Sequence, residues 1–286
     1  MIEINWSEYM KVSSISQMRA LDRKAIEDFG IKAELLMENA GHAAYYVLRQ
    51  EFGICGRRFI VFCGTGNNGG DGCVLARKIH ADGGWVKVFI LGDPVKFKGA
   101  ARLNFEIITR LPVEIQQVAL TQEFQNEIES SDLIVDAIFG TGLSRDVGGL
   151  YREIIEIINR SEKPVLSIDI PSGVHGNNGK IMGVAVKADY TVTFGLPKLG
   201  NLLFPGFELG GKLFVSHISF PPSIYNSDDL KVGINDLLDF PEIANLDIDG
   251  KLLRYGDNST DLNDFPTFHE KSKMQDFLIL GVNELT

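Results

Sequence analysis

Cysteine, basic charge and long apolar runs are all scarce in this chain. Its 286 residues include three cysteines, Cys55, Cys63 and Cys73, with no C-x-x-C pair. Three thiols in or near apolar segments predict reduced core cysteines and argue against a disulfide framework, a zinc site or a catalytic thiol. No apolar run approaches the roughly 20 residues that span a bilayer. The start, MIEINWSEYM, has neither a basic region nor an apolar core, so we expect a cytoplasmic protein without a signal peptide.

Acidic residues outnumber basic ones, and most of the imbalance lies near the C-terminus. The formal net charge is −10. Residues 221–286 hold 13 acidic and 5 basic side chains, whereas residues 1–220 hold 25 acidic and 23 basic ones. Neither part offers the basic face that nonspecific nucleic-acid binding or an anionic membrane surface requires. The sequence therefore predicts no nucleic-acid partner and no membrane partner.

Short apolar runs alternate with helix-length segments through most of the chain. The runs are rich in β-branched and aromatic residues, as strands are, and cover 58–63, 85–91, 113–118, 132–139, 164–170 and 188–195. Two helical patterns precede them, from residue 15 to Gly30 and over residues 34–53. This order predicts an α/β fold, a three-layer αβα Rossmann-like domain with a mainly parallel sheet and two N-terminal helices. We expect a last strand, over 212–220, at the sheet edge.

The alternation of strands and helices also predicts where the domain begins and ends. We expect an N-terminal extension over 1–13, the α/β domain over 14–220 and an acidic C-terminal extension of unknown role over 221–286. In the extension, Asp, Asn, Gly and Pro are spread among short apolar clusters. This composition is typical of either a docked segment or a disordered tail.

Two glycine-rich loops follow predicted strands, at the position where ligands bind in doubly wound sheets. The first, GTGNNGGDG over 64–72, precedes a helix and suits the approach of backbone N–H groups to a phosphate. Its glycines alone could equally make a tight turn. Asn67, Asn68 and Asp71 favour a ligand, because such side chains suit ribose hydroxyls or a hard cation. The second loop, GTGLSRDVGG over 140–149, also leads into a helix.

Three oxygen-bearing side chains near these loops are candidate cation ligands. Asp136 lies inside a predicted strand, where an unpaired carboxylate is costly, so it needs an ion pair or a cation. Asp169 and Ser172 belong to the loop DIPSG, which lacks the G-x-S-x-G pattern of a serine hydrolase. Asn68, Asp136 and Ser172 offer only oxygen, which favours an alkali or alkaline-earth ion over zinc. Lys198 is either solvated surface or a contact for a phosphate or carboxamide.

Five motifs, LMENAG, CGTGNNGGDG, DAIFGTGL, DIPSG and TFGLPKLG, occur in an order that resembles the YjeF N-terminal domain family. The resemblance covers residues 14–220. It implies the activity characterised in that family, NAD(P)H-hydrate epimerase, which interconverts the R and S forms of NADHX and NADPHX at C6 of the hydrated nicotinamide ring. It also implies a potassium cofactor and, as a functional partner, NAD(P)HX dehydratase. A homodimer is left open.

The resemblance assigns roles to matching positions of this sequence. The substrate-binding set is Asn67, Asn68, Gly69, Gly70, Asp71, Gly140, Thr141, Gly142, Leu143, Ser144, Arg145 and Asp146, with Asp169 beside the ring. Asn68, Asp136 and Ser172 would hold potassium. Asn39 and Asn104 are further pocket candidates, although either could equally bond within its own helix. Inverting C6 requires proton transfer, for which we expect Asp169, with Lys198 as electrostatic support.

Two other classes of function share parts of this pattern. A conventional NAD(P)-dependent oxidoreductase would use the G-x-G-x-x-G glycines, but Asp93 follows Gly64 by 29 positions where about 20 are expected. A non-catalytic adaptor would keep the pocket to bind a nucleotide or a partner, and animal members of the family also bind lipoprotein components. Many relatives continue into a dehydratase domain. Only 66 residues follow Phe220, so we expect that domain to be absent or the chain to be truncated.

Overall fold

The computed structural model describes residues 10–118, 124–226, 230, 232–234 and 278–280. The described strands are Met10–Val12 (β1), Arg58–Cys63 (β2), Trp85–Leu91 (β3), Glu114–Val118 (β4), Leu133–Ala137 (β5), Val165–Ile168 (β6), Tyr190–Phe194 (β7), Lys212–Ser216 (β8), Val232–Ile234 (β9) and Leu278–Leu280 (β10). The described α-helices are Ile15–Glu27 (α1), Ala33–Phe52 (α2), Asn67–Ala81 (α3), Gly99–Ile108 (α4), Gln125–Ser130 (α5), Gly149–Arg160 (α6), Leu199–Leu202 (α7) and Gly206–Leu209 (α8). None of these helices is long and apolar enough to cross a membrane.

Eight of the described strands form one parallel sheet, which confirms the predicted Rossmann-like fold. Their order is β10-β8-β7-β6-β5-β2-β3-β4. From β2 the chain moves outward through β3 to β4, and it then returns to the other side of β2 and continues from β5 to β8. The strand order therefore reverses between β2 and β5. In open parallel sheets, such a reversal leaves a crevice beyond the carboxyl ends of the two strands.

Apolar clusters cover both faces of this sheet. In β2, Phe59, Val61 and Cys63 face one cluster, while Ile60 and Phe62 face the other. Alternation within a strand sends neighbouring side chains to opposite faces, and here both faces are covered. The first cluster includes residues of α1, α2, α3 and α4, and the second includes residues of α5 and α6. Burial on both sides explains why the strands read as continuous apolar runs.

The expected edge position of the strand over 212–220 is wrong. Strand β8 pairs in parallel with β7 on one side and with Leu278–Leu280 on the other. The pattern of β8 could not reveal this, because its outer partner lies far along the chain. Val232–Ile234 likewise pairs with Met10–Val12, in an antiparallel arrangement. The C-terminal segment thus contributes two short strands, and apart from these strands only residues 221–226 and 230 of the predicted acidic extension lie among the described residues.

Helix α1 is held against the end of β7 by hydrogen bonds around its first turn. Ser14 starts the helix with a capping box. Immediately before it, the N–H of Ser13 donates to the carbonyl of Pro197 at 2.9 Å, and the N–H of Leu199 donates to the carbonyl of Ser13 at 3.0 Å. These two bonds flank Lys198. They fix the start of α1 relative to the backbone that carries this lysine.

Candidate active site

A cavity of about 830 Å³ opens beyond the carboxyl ends of β2 and β5. Residues 64–68 and 138–145, from the two glycine-rich loops, form a large part of its wall. Helices α1 and α2, the start of α4, Asp169 and Lys198 also contribute to it. A cavity of this size at a strand-order reversal is typical of a binding site for a small molecule or cofactor.

The first glycine-rich loop is largely helical, because α3 begins at Asn67. A Cβ atom on Gly69 would lie 1.7 Å from the carbonyl oxygen of Gly64, and one on Gly64 would lie 2.1 Å from that of Ile138. The helix can start this close to the sheet only because these positions lack side chains. Gly69 and Gly70 are buried behind the cavity wall, so they shape the site without lining it.

Asn68 lines the cavity with an amide group that has no hydrogen-bond partner in the described part of the chain. The residue is 8% exposed, and among the described residues neither its Nδ2 nor its Oδ1 has a hydrogen-bond partner. Leaving such a group unpaired costs about 1–3 kcal/mol. A Cβ atom on Gly140 would lie 3.3 Å from Asn68 Oδ1 and 2.8 Å from Asp169 Oδ2. Asn68, Gly140 and Asp169 therefore meet at one point of the wall.

Asp136 and Ser172 are fully buried beneath the cavity and do not line it. Ser172 Oγ donates to Asp136 Oδ1 at 2.5 Å, and the N–H of Ser172 and Ser167 Oγ each donate to Oδ2 at 2.8 Å. The N–H of Ile138 also donates to Oδ1, at 3.2 Å. Burial raises the pKa of Asp136, and these hydrogen bonds oppose the rise. Asp136 forms no ion pair with a lysine or arginine of the described residues, so hydrogen bonds take the place of the ion pair that the sequence left open.

Asp169 and Lys198 form an ion pair in the cavity wall. Lys198 Nζ lies 2.5 Å from Asp169 Oδ1, and the two side chains are 2% and 13% exposed, respectively. The same ammonium group donates to Thr193 Oγ1 at 2.8 Å and to the carbonyl of Phe194 at 3.0 Å. The other carboxylate oxygen of Asp169 accepts from the N–H of Thr141 at 3.2 Å. Lys198 is thus a buried cation with its three donors used, and the solvated-surface alternative is wrong.

The backbone at Asp169 is held in a conformation that most residues avoid. Its φ is 71°, in the left-handed region. The N–H of Asp169 donates to the carbonyl of Val192 at 2.7 Å, and its carbonyl accepts from Asn201 Nδ2 at 3.2 Å. Strained residues of this kind cluster at functional sites, where the surrounding structure fixes them. Asn201 was not predicted, and its only sequence signal is its place three residues after Lys198.

Two further carboxylates line the cavity beside this ion pair: Asp22 of α1 and Asp71 of α3. Burial raises the pKa of Asp22 to about 6, with Lys198 opposing the rise and Asp169 adding to it. Burial also raises the pKa of Asp71 well above its usual range, and repulsion from Asp169 and Asp22 adds to this effect. Asp22 was missed in the sequence, where its one signal is a position four residues after Met18 on the same helical face.

The second glycine-rich loop supplies most of its predicted residues to the cavity. Those that line it are Gly140, Thr141, Gly142, Leu143, Ser144 and Arg145. Asp146 is exposed and lies outside the lining. Asn39 and Asn104 are also outside it, because Asn39 Nδ2 donates to Ser219 Oγ at 2.8 Å and Asn104 Nδ2 donates to the carbonyl of Ala100 at 3.1 Å. These hydrogen bonds hold the amide groups of Asn39 and Asn104 outside the cavity.

The sequence profile of the family described as YjeF-related protein N-terminus matches residues 33–200. The chain belongs to this family. It is 47% identical over 234 residues to the bifunctional NAD(P)H-hydrate repair enzyme Nnr of Thermofilum pendens, covering 81% of this chain and 44% of that protein. It is 35% identical over 203 residues to the NAD(P)H-hydrate epimerase of Limosilactobacillus fermentum, covering 70% of this chain and 93% of that protein. The chain thus spans less than half of the bifunctional relative.

A solved structure agrees with the fold of this YjeF-related chain. The crystal structure of yeast ynu0 aligns with a TM-score of 0.60 at 24% identity, covering 67% of this chain and 83% of the yeast chain. At this level of identity the likeness supports the fold alone. The matched residues 33–200 contain both glycine-rich loops, Asp169 and Lys198, whereas Asp22 lies before them.

Proposed function

We propose that this chain is an NAD(P)H-hydrate epimerase that interconverts the R and S forms of NADHX and NADPHX at C6. The observation that carries the proposal is the cavity beyond the carboxyl ends of β2 and β5, in which the Asp169–Lys198 ion pair lies beside two glycine-rich loops. A relative that the chain covers almost completely bears this name. The bifunctional relatives extend well beyond the matched region, which supports a dehydratase acting as the functional partner. A cytoplasmic location and a homodimer stay predictions.

The proposed reaction needs a group that moves a proton while the C6 hydroxyl leaves and returns. The C6–O bond can break as the N1 lone pair forms an iminium, or the ring can open and close again. We assign proton transfer to Asp169, whose carboxylate lines the cavity next to Gly140. Lys198 supports it by holding one carboxylate oxygen in place and by stabilising its negative charge.

Binding of the dinucleotide is assigned to the two loops. Asn67, Asn68 and Asp71 offer amide and carboxylate groups for ribose hydroxyls, and the start of α3 offers backbone N–H groups for phosphate. On the other side of the cavity, Thr141 and Arg145 offer a hydroxyl and a cation. The unpaired amide of Asn68 is the strongest support, because a ligand would satisfy it.

We also propose that a potassium ion is held by Asn68, Asp136 and Ser172. The donor set fits such an ion, since it consists of one carboxylate, one hydroxyl and one amide oxygen without a partner. A nearby cation would offset the burial that raises the pKa of Asp136. When bound, it would supply a fixed positive charge to a site that receives an anionic dinucleotide.

The test is to supply purified R-NADHX to the full chain in potassium or sodium buffer and to follow formation of the S epimer by chromatography. We expect conversion well above the spontaneous rate in potassium, a lower rate in sodium, and at least a hundredfold loss in Asp169→Asn. Tight binding of NADHX without conversion would favour the adaptor, and oxidation of NADH by a second substrate would favour an oxidoreductase. Equal rates in the two salts would overturn the potassium assignment alone.

A further inference from the structure

We propose that Asp22 is a second proton-transfer residue of this site, working as a pair with Asp169. The proposal rests on the epimerase function above and adds a residue from outside the loops that carry the family motifs. Replacing a hydroxyl on one face of C6 by a hydroxyl on the other face involves two proton transfers. Two carboxyl groups on different elements can supply both without the substrate turning over in the site.

Asp22 is placed at the cavity by a rigidly anchored helix. Met18, Asp22 and Ile26 are spaced four residues apart on α1, and all three line the cavity. Met18 packs so closely on the turn after β7 that a Cβ atom on Gly195 would lie 2.4 Å from Met18 Cε. One turn further along the helix stands Asp22. Its carboxyl group therefore enters the cavity from an element that is fixed to the segment carrying Lys198.

The charges around Asp22 differ from those around Asp169. Among the described residues, Asp169 has Lys198 and the N–H of Thr141 as donors, whereas no hydrogen bond to the Asp22 carboxylate is formed. Lys198 attracts Asp22 from a distance, while Asp169 and Asp71 repel it. With three carboxylates around one ammonium group, protonating one of them relieves the repulsion.

Further ionisable groups face or border the same space, and Lys98, Arg145 and Tyr151 also line the cavity. Arg19 lines the cavity from the same helix. Tyr225 stays protonated, because burial and the charge of Asp22 both raise its pKa far above the usual range. The pKa of Asp22 itself is raised to about 6, chiefly by burial. Asp22 can therefore hold a proton at a pH near 6, beside the ion pair that Asp169 forms with Lys198.

The proposed steps balance in atoms and electrons. In the R-to-S direction, protonated Asp22 gives its proton to the C6 hydroxyl, the C6–O bond breaks and water leaves as the N1 lone pair forms the C6=N1 bond. Water then adds to the opposite face of C6, the C6=N1 electrons return to N1, and carboxylate Asp169 takes the released proton. A proton passes from Asp169 to Asp22 through solvent to reset the pair. No oxidant or reductant is involved.

The experiment compares the full-length wild type with Asp22→Asn, Asp22→Glu and the control Asp28→Asn. Asp28 is an exposed carboxyl group at the end of the same helix and lies outside the cavity. R-to-S rates with R-NADHX are measured from pH 5 to pH 9 with the spontaneous rate subtracted, together with the binding constant of NADHX and the melting temperature.

For Asp22→Asn we expect kcat/KM to fall by about 10²–10⁴-fold with the NADHX binding constant changed by less than about threefold. In the wild type, kcat/KM should fall about tenfold per pH unit above an apparent pKa near 6, because the donor loses its proton. In Asp22→Asn, kcat/KM should not show this fall as the pH rises. Asp22→Glu should keep it at a reduced rate, and Asp28→Asn should match the wild type.

A wild-type rate and pH profile in Asp22→Asn would overturn the assignment, as would a loss confined to the binding constant. If Asp22→Asn does not fold, the wild type and Asp22→Glu decide the matter, and flat profiles between pH 5 and pH 8 in both would overturn it. A wild type that binds NADHX without epimerising it would instead refute the proposed function.

Discussion

The two glycine-rich loops begin with the same tripeptide on neighbouring strands, yet they become different structures. Gly-Thr-Gly at 64–66 follows β2, and Gly-Thr-Gly at 140–142 follows β5. After the first, α3 begins at once and its first two turns are largely buried. After the second, the chain stays irregular until α6 begins at Gly149, and most of it is exposed or half-buried.

The difference comes from what surrounds each glycine. In the first loop, added Cβ atoms would meet backbone oxygens at Gly64 and Gly69, whereas at Gly142 and Gly148 in the second they would meet nothing within 4 Å. The first loop therefore uses its glycines for close packing of a helix against the sheet. The second uses them for an open turn that presents Thr141 and its neighbours to the cavity. The same glycine pattern thus lets a helix pack closely on the sheet in the first loop and exposes side chains to the cavity in the second.

The largest difference between the two loops should appear when one methyl group is added to each of them. In Gly69→Ala the new Cβ would lie 1.7 Å from a backbone oxygen, so α3 must move and we expect loss of soluble protein or of at least 99% of the epimerisation rate. Gly148→Ala adds the same group in open space before α6 and should keep most of the rate. Expression yield, circular dichroism and the R-to-S rate measure both. A folded and active Gly69→Ala variant would contradict this prediction, because it would show that the first loop also accommodates an added methyl group.

Asparagines on the helices that follow the loops should separate activity from stability. Asn159 on α6 is satisfied, since its Nδ2 donates to the carbonyl of Ala185 at 2.9 Å and its Oδ1 accepts from the N–H of Lys187 at 2.8 Å. Asn159→Ala should lower the unfolding free energy by about 1–3 kcal/mol and spare the rate. Asn68→Ala removes an unpaired amide, so we expect a rate loss of tenfold or more with little loss of stability.

Urea unfolding and the rate in potassium and sodium are the measurements for this pair. Our assignment of Asn68 to the potassium site adds that Asn68→Ala should lose most of the difference between the two salts. The opposite pattern, with stability lost in Asn68→Ala and activity lost in Asn159→Ala, would contradict a ligand-binding role for the first loop.

The smallest effect should be a pH dependence of stability that belongs to the first loop. Burial raises the pKa of Asp71 in the folded state, so the folded chain holds this proton to a higher pH than the unfolded chain does. Stability is therefore lost as pH rises from the unfolded value near 4 towards the folded pKa. Asp71→Asn should melt a few degrees higher than the wild type at pH 8, and the gain should shrink towards pH 4. Asp146→Asn, at an exposed carboxyl of the second loop, should show no such trend.

The fold was largely predictable because its strands are buried on both faces. The runs at 58–63 and 85–91 match β2 and β3 residue for residue. The start of α3 was not predictable in the same way, because a stretch rich in glycine has low helix propensity. Packing of its bare backbone against β2 and β5 overrides that propensity. The outer partner of β8 was hidden for a similar reason, since it lies more than 60 residues further along the chain.

The residues of the candidate site likewise include some that the sequence identified and some that it did not. The loop motifs identified Asn68, Asp136 and Asp169 as chemically unusual, because amide and carboxylate groups at strand ends are unneeded for packing. Lys198 was expected from the sequence as electrostatic support for Asp169, whereas nothing in the sequence drew attention to Asp22. The position of Asp22 depends on where α1 docks, and backbone hydrogen bonds of Ser13 tie the start of that helix to the segment around Lys198.

By itself, the sequence determined most of the order of strands and helices, the family and the positions of the two glycine-rich loops. These features follow from local periodicity and residue type, which a chain carries whether or not it is folded. Only the tertiary structure decided which carboxyl groups share the cavity, how closely Lys198 pairs with Asp169 and which carboxyl groups have a raised pKa. The reason is physical: burial and the distances between charges set their ionisation, and both exist only after distant segments have packed together.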